Sequence, residues 1–171
     1  MNDEVNNLEF KYLANNKELL AEVKKLFLEY AESLPIELDF QDFEDELSKL
    51  PGKYVPPAGA IILAIVDNTA VGIVALRKIE DGICEMKRLF VKKNYQGLGI
   101  GKKLAEKIIA EAKDRGYNYM RLDTLSSLKK ALNLYKSLGF YEIDAYIYNP
   151  MDNAIYMEKE LNWLFSPGKR Q

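Results

Sequence analysis

The sequence predicts a single α/β (α+β) domain built on a mixed, mostly antiparallel sheet of about seven strands with about four helices. The chain has 171 residues, of which 48% are hydrophobic, as expected for one ordinary folded domain. Hydrophobic periodicity changes along the chain in the order strand, two helices, three strands, helix, strand, helix, two strands. Only short turns join the three central strands, which favours antiparallel pairing between them. We expect a core over about residues 8–161 and a C-terminal tail over residues 162–171.

The N-terminal third predicts one strand followed by two helices. Apolar and polar residues alternate at the start of residues 8–13, which is typical of a half-buried strand. Apolar residues then recur every three or four positions up to Pro35, and this spacing predicts a helix capped by Asn15 or Asn16. A shorter amphipathic helix is predicted over residues 40–50.

The rest of the chain predicts mainly strands, interrupted by two helices. Asp67-Asn68-Thr69 is typical of a hairpin turn. Ser126 or Ser127 is the predicted cap of the last helix, and Gly139 is expected in a left-handed conformation at its end. The predicted strands are residues 60–66, 71–79, 83–91, 119–124, 140–148 and 155–161, and the two helices are predicted to end at Arg115 and Leu138.

The composition excludes several kinds of site. The chain has no histidine and a single cysteine, Cys84, which excludes histidine-based triads, cysteine clusters for zinc and disulfide frameworks. We therefore expect no metal. The net charge of −2 gives no reason to expect nucleic acid or a membrane as a partner, and the first residues lack the pattern of a signal peptide. We expect a cytoplasmic protein that is a monomer or a homodimer.

Charge is distributed unevenly along the chain. Residues 1–58 hold 6 Lys and Arg against 13 Asp and Glu, whereas residues 59–171 hold 18 against 13. We expect the acidic part and the basic part to serve different ligands.

A glycine-rich loop, Gln96-Gly97-Leu98-Gly99-Ile100-Gly101, lies between a predicted strand and a predicted helix. Free N–H groups and the helix dipole attract anions at such a place, and glycine lets a phosphate approach the backbone. A P-loop is excluded because Lys103 follows Gly101-Lys102 where Ser or Thr is required. A dinucleotide fingerprint would need glycine at Lys102, so a nucleotide-binding protein is a minor alternative. A tight turn surrounded by solvated lysines is the plainer alternative.

The same loop fits the pattern Q/R-x-x-G-x-G/A at Gln96, Gly99 and Gly101. It resembles the acyl-CoA-binding signature of the GNAT superfamily of N-acyltransferases. Leu134-Tyr135 followed by Gly139-Phe140 resembles the second signature of that family. The resemblance implies the GNAT fold and an acetyl-CoA-dependent N-acetyltransferase. Such an enzyme transfers an acetyl group directly to a primary amine of a small molecule or peptide within a ternary complex.

The resemblance also implies which residues bind the donor. Loop amides would hold the CoA pyrophosphate, and the backbone of the preceding strand would pair with the pantetheine arm. Many members have Asn seven residues before the tyrosine, where this sequence has Leu128, so Ser126 and Ser127 are the alternative contacts. The implied acetyl-CoA-binding residues are Leu89, Phe90, Val91, Gln96, Gly97, Leu98, Gly99, Ile100, Gly101, Lys102 and Tyr135.

Two residues are implied to be catalytic. Tyr135 resembles the family tyrosine that donates a proton to the CoA sulfur, and Glu85 occupies the position of the strand glutamate that acts as a base. Both also have a structural interpretation, since Tyr135 follows helical spacing and Glu85 has Lys87 and Arg88 as possible ion-pair partners. In a catalytically silent CoA-sensing or interaction module, both side chains would only pack.

The acceptor side is predicted from charge. The first two helices usually line this side in the family, and here the region is rich in carboxylates. An acidic wall suits a cationic amine, and a solvated helix face is the alternative. The candidate acceptor-binding residues are Asp42, Asp45, Glu46 and Tyr146.

Overall fold

The computed structural model describes residues 5–34 and 40–161. Its elements are β1 (Leu8–Tyr12), α1 (Leu20–Ser33), α2 (Phe40–Lys49), β2 (Ala60–Val66), β3 (Thr69–Glu80), β4 (Ile83–Val91), α3 (Ile100–Asp114), β5 (Tyr119–Leu125), α4 (Lys129–Ser137), β6 (Tyr141–Ile143) and β7 (Ala154–Glu160). The strands form one sheet in the order β1-β2-β3-β4-β5-β7-β6. Among the described strands, β4 and β5 are the one pair that runs parallel. The predicted mixed, mostly antiparallel sheet of seven strands with four helices is confirmed.

Helices cover both faces of this sheet and create two apolar cores. On one face, α3 contributes Leu104 and Ile108, which pack against the inward side chains of the central strands. On the other face, α1 contributes Leu26 and Phe27. Because every residue of β2 is buried between the two cores, its sequence is a continuous apolar run instead of an alternating one. This arrangement fixes the central strands that carry the site.

Local signals explain the turns that join these elements. Asp67 and Asn68 have φ values of 48° and 66°, so both residues of the β2–β3 turn are left-handed, as the predicted hairpin requires. Gly139 ends α4 with a φ of 94°, which confirms the predicted left-handed position.

The predicted helix caps are wrong. The chain enters α1 through two 3₁₀ turns, Leu13–Asn15 and Lys17–Leu19. The Asn16 N–H donates to the carbonyl of Leu13 at 3.0 Å, and the Leu19 N–H donates to the carbonyl of Asn16 at 2.9 Å. Asn16 therefore does not cap α1, and its side chain donates to the carbonyl of Tyr12 at 3.0 Å. Leu128 holds the cap position of α4, without a capping hydrogen bond from a side chain.

The predicted strand over residues 140–148 is also too long. Only Tyr141–Ile143 pairs with β7, and the chain then leaves the sheet. This departure lets the hydroxyl of Tyr146 reach Glu85, while the Tyr156 hydroxyl donates to the carbonyl of Ile147 at 2.8 Å. The shortened strand thus supplies a loop that contributes to the site. The predicted tail over residues 162–171 lies outside the described residues.

Within residues 5–34 and 40–161, each helix is too short or too polar to cross a bilayer. The same residues contain no group of three or more metal-ligating side chains arranged to hold an ion.

Candidate active site

The site is organised by a gap between two neighbouring parallel strands. Pairing of β4 with β5 is confined to Ile83–Glu85 against Tyr119–Arg121. Beyond these three pairs, residues 86–91 of β4 keep β3 on one side and have no paired strand, within the described residues, on the side that faces β5. Backbone N–H and C=O groups along such an edge are available to a ligand.

A β-bulge lies in the part of β4 that leaves β5. Arg88 and Leu89 together oppose the single residue Val74 of β3, because the register shifts between Ile73 and Ala75. Arg88 has a φ of 59°, a left-handed backbone conformation that costs free energy for residues other than glycine. A bulge bends its strand and redirects side chains, and here it brings the Arg88 side chain to the pocket wall.

The gap opens into a cavity of about 420 Å³. Its walls come from β4 and β5, from α4, and from α2 with the segment that follows it. Most side chains on the α4 wall are apolar, including Leu128 and Ala131, whereas charged side chains face them from β4 and α2. An extended ligand with one apolar and one polar end matches this division.

The glycine loop lies just after β4. Gly97 and Gly99 both have a φ of 81°, and a Cβ atom added at either position would meet nothing within 4 Å. The side chain of Gln96 donates to the carbonyl of Val91 at 2.9 Å and so ties the loop to the strand end. Because α3 begins at Ile100, its first N–H groups have no carbonyl one turn earlier to bond to. The loop fits an anionic group such as a pyrophosphate.

Tyr135 lies in the pocket wall on α4. The residue is 8% exposed, and its ring packs edge-on against Phe140 with centroids 5.9 Å apart. No described residue hydrogen-bonds to its hydroxyl, which leaves that group available to a ligand. Burial, followed by electrostatic interactions with Tyr30 and Asp123, raises the pKa of Tyr135 and keeps the phenol protonated. A protonated phenol is a proton donor.

Glu85 lies on β4 and is 0% exposed. Its carboxylate accepts hydrogen bonds from Arg77 Nε at 2.7 Å and from the Tyr146 hydroxyl at 2.5 Å, and Lys87 Nζ lies 3.5 Å away. Burial raises the pKa of Glu85, but Lys87, Tyr146 and Arg77 together outweigh it, so the pKa lies below its ordinary value. Glu85 is therefore ionised at neutral pH, and Lys87 connects it to the pocket wall.

The predicted acceptor residues separate into different surroundings. Asp42 and Glu46 line the pocket, but Asp45 is an exposed residue that pairs with Lys49 at 2.8 Å. Glu46 accepts a hydrogen bond of 2.6 Å from Arg88 Nη2 and another from the Tyr54 hydroxyl. Burial raises the pKa of Glu46, and Arg88 and Tyr54 lower it more strongly. Glu46 thus has protein partners already, as does Tyr146 in its bond to Glu85.

Residues 20–140 match the acetyltransferase (GNAT) family. This match spans most of the chain, including the glycine loop, the gap and Tyr135. The chain belongs to the GNAT family. The homologues in this family are named N-acetyltransferases, which supports acetyltransferase activity for the present member.

Two relatives and one solved structure illustrate this membership. The chain is 40% identical to an uncharacterized N-acetyltransferase of Schizosaccharomyces pombe, over 84% of this chain and 89% of the relative. It is 33% identical to the N-acetylaspartate synthetase of Xenopus tropicalis, over 70% of this chain but only 42% of that relative. The YncA protein of Salmonella typhimurium, solved with its cofactor acetyl-CoA, has a TM-score of 0.75 at 16% identity and covers 96% of this chain and 100% of its own. The seven-stranded sheet is accordingly the GNAT fold.

Sequence reasoning did not assign two residues, Lys53 and Asp123, to this pocket. Lys53 lies in the segment after α2 and lines the pocket, although no motif singles it out. Asp123 lies on β5, lines the opposite wall and accepts a hydrogen bond from Asn149 Nδ2 at 3.1 Å. The alternation along β5 would place Asp123 between buried neighbours at the end of a strand, and that is the one sequence signal that could have identified it.

The surroundings of Glu85 predict a pH-dependent contribution to stability. Because its folded pKa is lowered, the stabilisation is present above the unfolded pKa of about 4.3 and is lost as the pH falls through the folded pKa. We expect Glu85→Gln to lower the free energy of unfolding by about 2 kcal/mol at neutral pH, because charge-assisted hydrogen bonds are lost. The difference from wild type should shrink as the pH falls below the unfolded pKa of about 4.3. Urea unfolding measured at several pH values tests this.

The matched control is Asp45→Asn, which removes an exposed ion pair and should change the free energy of unfolding by less than about 0.5 kcal/mol. A difference between wild type and Glu85→Gln that stays constant with pH would contradict the lowered pKa.

Proposed function

We propose that this protein transfers an acetyl group from acetyl-CoA to a primary amine of a small molecule or peptide, directly and within a ternary complex. One observation carries the proposal: the cavity at the β4–β5 gap is lined by charged side chains and by Tyr135, and the glycine loop follows at the end of β4. The gap can hold a thioester near a proton donor while the acceptor enters from the face of the sheet that carries α1 and α2. The name N-acetylaspartate synthetase, borne by one relative, supports a small-molecule amine as the acceptor class.

The donor is proposed to bind by its pyrophosphate and its pantetheine arm. The N–H groups of residues 97–102 would receive the pyrophosphate, since the left-handed glycines leave the space in front of them open. The free edge of Leu89, Phe90 and Val91 would pair with the amide groups of the pantetheine, as an added strand does. Leu128, which stands where many members have Asn, lines the pocket with an apolar surface instead.

The proposed chemistry needs two proton movements. The amine nitrogen forms a bond to the acetyl carbonyl carbon, the C–S bond breaks, and the departing thiolate takes a proton. The Tyr135 hydroxyl is the proposed donor of that proton, because burial keeps it protonated and it has no competing partner among the described residues.

Glu85 is the proposed acceptor of the amine proton. Its ionised carboxylate has the protonation state that a base requires, and its position on β4 puts it on the same side of the sheet as α2. Since the carboxylate is fully buried, the proton would reach it through the Tyr146 hydroxyl that already donates to it at 2.5 Å. In this proposal Tyr146 positions Glu85 and relays the proton.

Donor binding is tested by substitutions at two left-handed glycines with the same backbone geometry. Gly99 has a φ of 81° and Gly116 a φ of 83°, and an added Cβ atom at either position meets nothing within 4 Å. Gly99→Val should abolish the stabilisation that acetyl-CoA gives, about 2.7 kcal/mol at a hundredfold excess over its dissociation constant, because the side chain fills the phosphate space. Gly116→Val, the control, should show the same backbone cost and keep that stabilisation.

Thermal unfolding with and without acetyl-CoA measures both variants, with NAD and ATP as comparison ligands. Equal stabilisation of wild type by all three ligands, or retained binding by folded Gly99→Val, would show that the glycines only form a turn.

The proton donor is tested by Tyr135→Phe, which removes only the hydroxyl. We expect kcat to fall by about 10²-fold while the dissociation constant of acetyl-CoA stays the same. Tyr141→Phe is the control, because its hydroxyl bonds to Glu158 on the surface. Thiol release measured under single-turnover conditions isolates the chemical step. An unchanged rate in Tyr135→Phe would leave this tyrosine with a packing role only.

The base is tested by Glu85→Gln, in which the side chain keeps its shape and cannot take a proton. Turnover should fall by about 10²-fold or more at neutral pH and recover at high pH, where the amine loses its proton unaided. Glu80→Gln, on the exposed end of β3, is the control. A pH–rate profile for Glu85→Gln identical to that of wild type would remove Glu85 from proton transfer.

A further inference from the structure

The charges of the pocket are segregated between two walls. On the α2 and β4 wall, Lys53, Lys87 and Arg88 line the cavity. The two carboxylates closest to them are already bound by guanidinium groups: Arg88 Nη2 lies 2.6 Å from Glu46, and Arg77 Nε lies 2.7 Å from Glu85. Four cations therefore share two carboxylates, and the two lysines carry the excess positive charge. Lys87 adds only a contact of 3.5 Å to the oxygen that Arg77 already binds.

Lys53 shows this excess most clearly. The residue is exposed, and its Nζ atom lies over the face of the Tyr54 ring, 5.9 Å from the ring centroid. No carboxylate of a described residue lies within ion-pair distance of its ammonium group. Partial burial of the side chain and then the positive charge of Arg77 lower the pKa of Lys53. A ligand anion would offset the positive charge of the two side chains.

The CoA phosphates are not the anion expected here. The glycine loop follows the C-terminal end of β4, and it starts α3 on the opposite face of the sheet from α1 and α2. Lys53 is next to Tyr54, which belongs to the α1 and α2 core. Lys53 is thus on the face of the sheet that carries α1 and α2, whereas the proposed pyrophosphate site is at the start of α3 on the opposite face.

The opposite wall carries the negative charge. Asp123 accepts one hydrogen bond from Asn149, and no cation of a described residue lies within ion-pair distance of it. Asp123 and Tyr135 line the same cavity, and the charge of Asp123 contributes to the raised pKa of Tyr135. Asp42, by contrast, belongs to α2 and lies at the exposed rim of the pocket. An ammonium group beside Asp123 would be next to the proposed site of acetyl transfer.

We infer that the acceptor is a zwitterion of the amino acid type, whose amine lies toward Asp123 and whose carboxylate lies between Lys53 and Lys87. The inference rests on the proposed acetyl transfer and replaces the purely cationic amine expected from the acidic sequence of α2. Glu46, which supported that expectation, is bound to Arg88 and Tyr54.

The experiment compares matched acceptors. Wild-type protein with acetyl-CoA is offered α-amino acids with small, acidic, aliphatic and aromatic side chains, each paired with its α-carboxamide, and thiol release is measured. Because the carboxamide lowers the pKa of the amine, a larger fraction of the amide has a neutral amine at neutral pH, so a preference for the acid indicates recognition of its carboxylate. We expect at least one acid to exceed its amide in kcat/KM by about tenfold, the effect of one charge-assisted hydrogen bond.

Lys53→Gln and Lys49→Gln then identify the anion site. Lys53→Gln should raise KM for the preferred amino acid about tenfold and leave KM for its amide and for acetyl-CoA unchanged. Lys49→Gln removes an exposed lysine of α2 that is outside the pocket, and it should change none of these constants. Equal use of acids and amides by wild type, or equal effects of Lys53→Gln on both, would overturn the zwitterion assignment while acetyl transfer stands. If acetyl-CoA binds but no thiol is released with either the acids or the amides, the proposed function and this inference are both overturned.

Discussion

The early separation of β4 from β5 is the constraint on which the site depends. If the parallel pairing continued beyond Glu85, the backbone N–H and C=O groups of residues 86–91 that face β5 would bond to that strand, and the pocket would be closed. Instead, the bulge at Arg88 bends β4 away, and the crossover through α3 anchors the far end of the strand. The free strand edge and Leu128, Ala131 and Tyr135 of the α4 wall border the same gap as a result, and the glycine loop follows at the end of β4. The proposed function locates binding and chemistry there because the backbone has unsatisfied groups there.

The second requirement is that buried charges beside the gap remain paired. An unpaired carboxylate at the position of Glu85 would cost several kcal/mol, so the fold surrounds it with Arg77, Lys87 and Tyr146. A comparable arrangement holds Glu46 against Arg88, whose guanidinium lies over the rings of Tyr30 and Phe43 at 5.4 and 5.6 Å. These pairs fix the geometry of the α2 wall. They also leave Lys53 and Asp123 as unpaired charges on opposite sides of the cavity.

The elements of the fold and the glycine loop could be predicted because their sequence signals are local. The left-handed glycines, the hairpin at Asp67 and Asn68 and the continuous apolar run of β2 each follow from a few neighbouring residues. The α2 wall could not be predicted, since it depends on ion pairs between residues far apart in the sequence, such as Arg88 with Glu46. The bulge that places Arg88 leaves no pattern in the sequence, because its cause is the register against β3. The helix caps failed for a related reason: backbone contacts of the 3₁₀ turns replaced the side-chain caps that local composition favours.

The central claim is that acetyl-CoA occupies the β4–β5 gap, and hydrogen–deuterium exchange tests it most directly. Amide exchange would be followed by mass spectrometry in wild-type protein with and without acetyl-CoA. The account predicts slower exchange on binding in two segments, residues 86–91 and 97–102, because their free N–H groups gain acceptors. A second cavity of about 380 Å³, lined by residues that include Tyr12, Tyr54 and Val55, provides the comparison. Protection confined to that cavity, or absent from both segments, would contradict the claim.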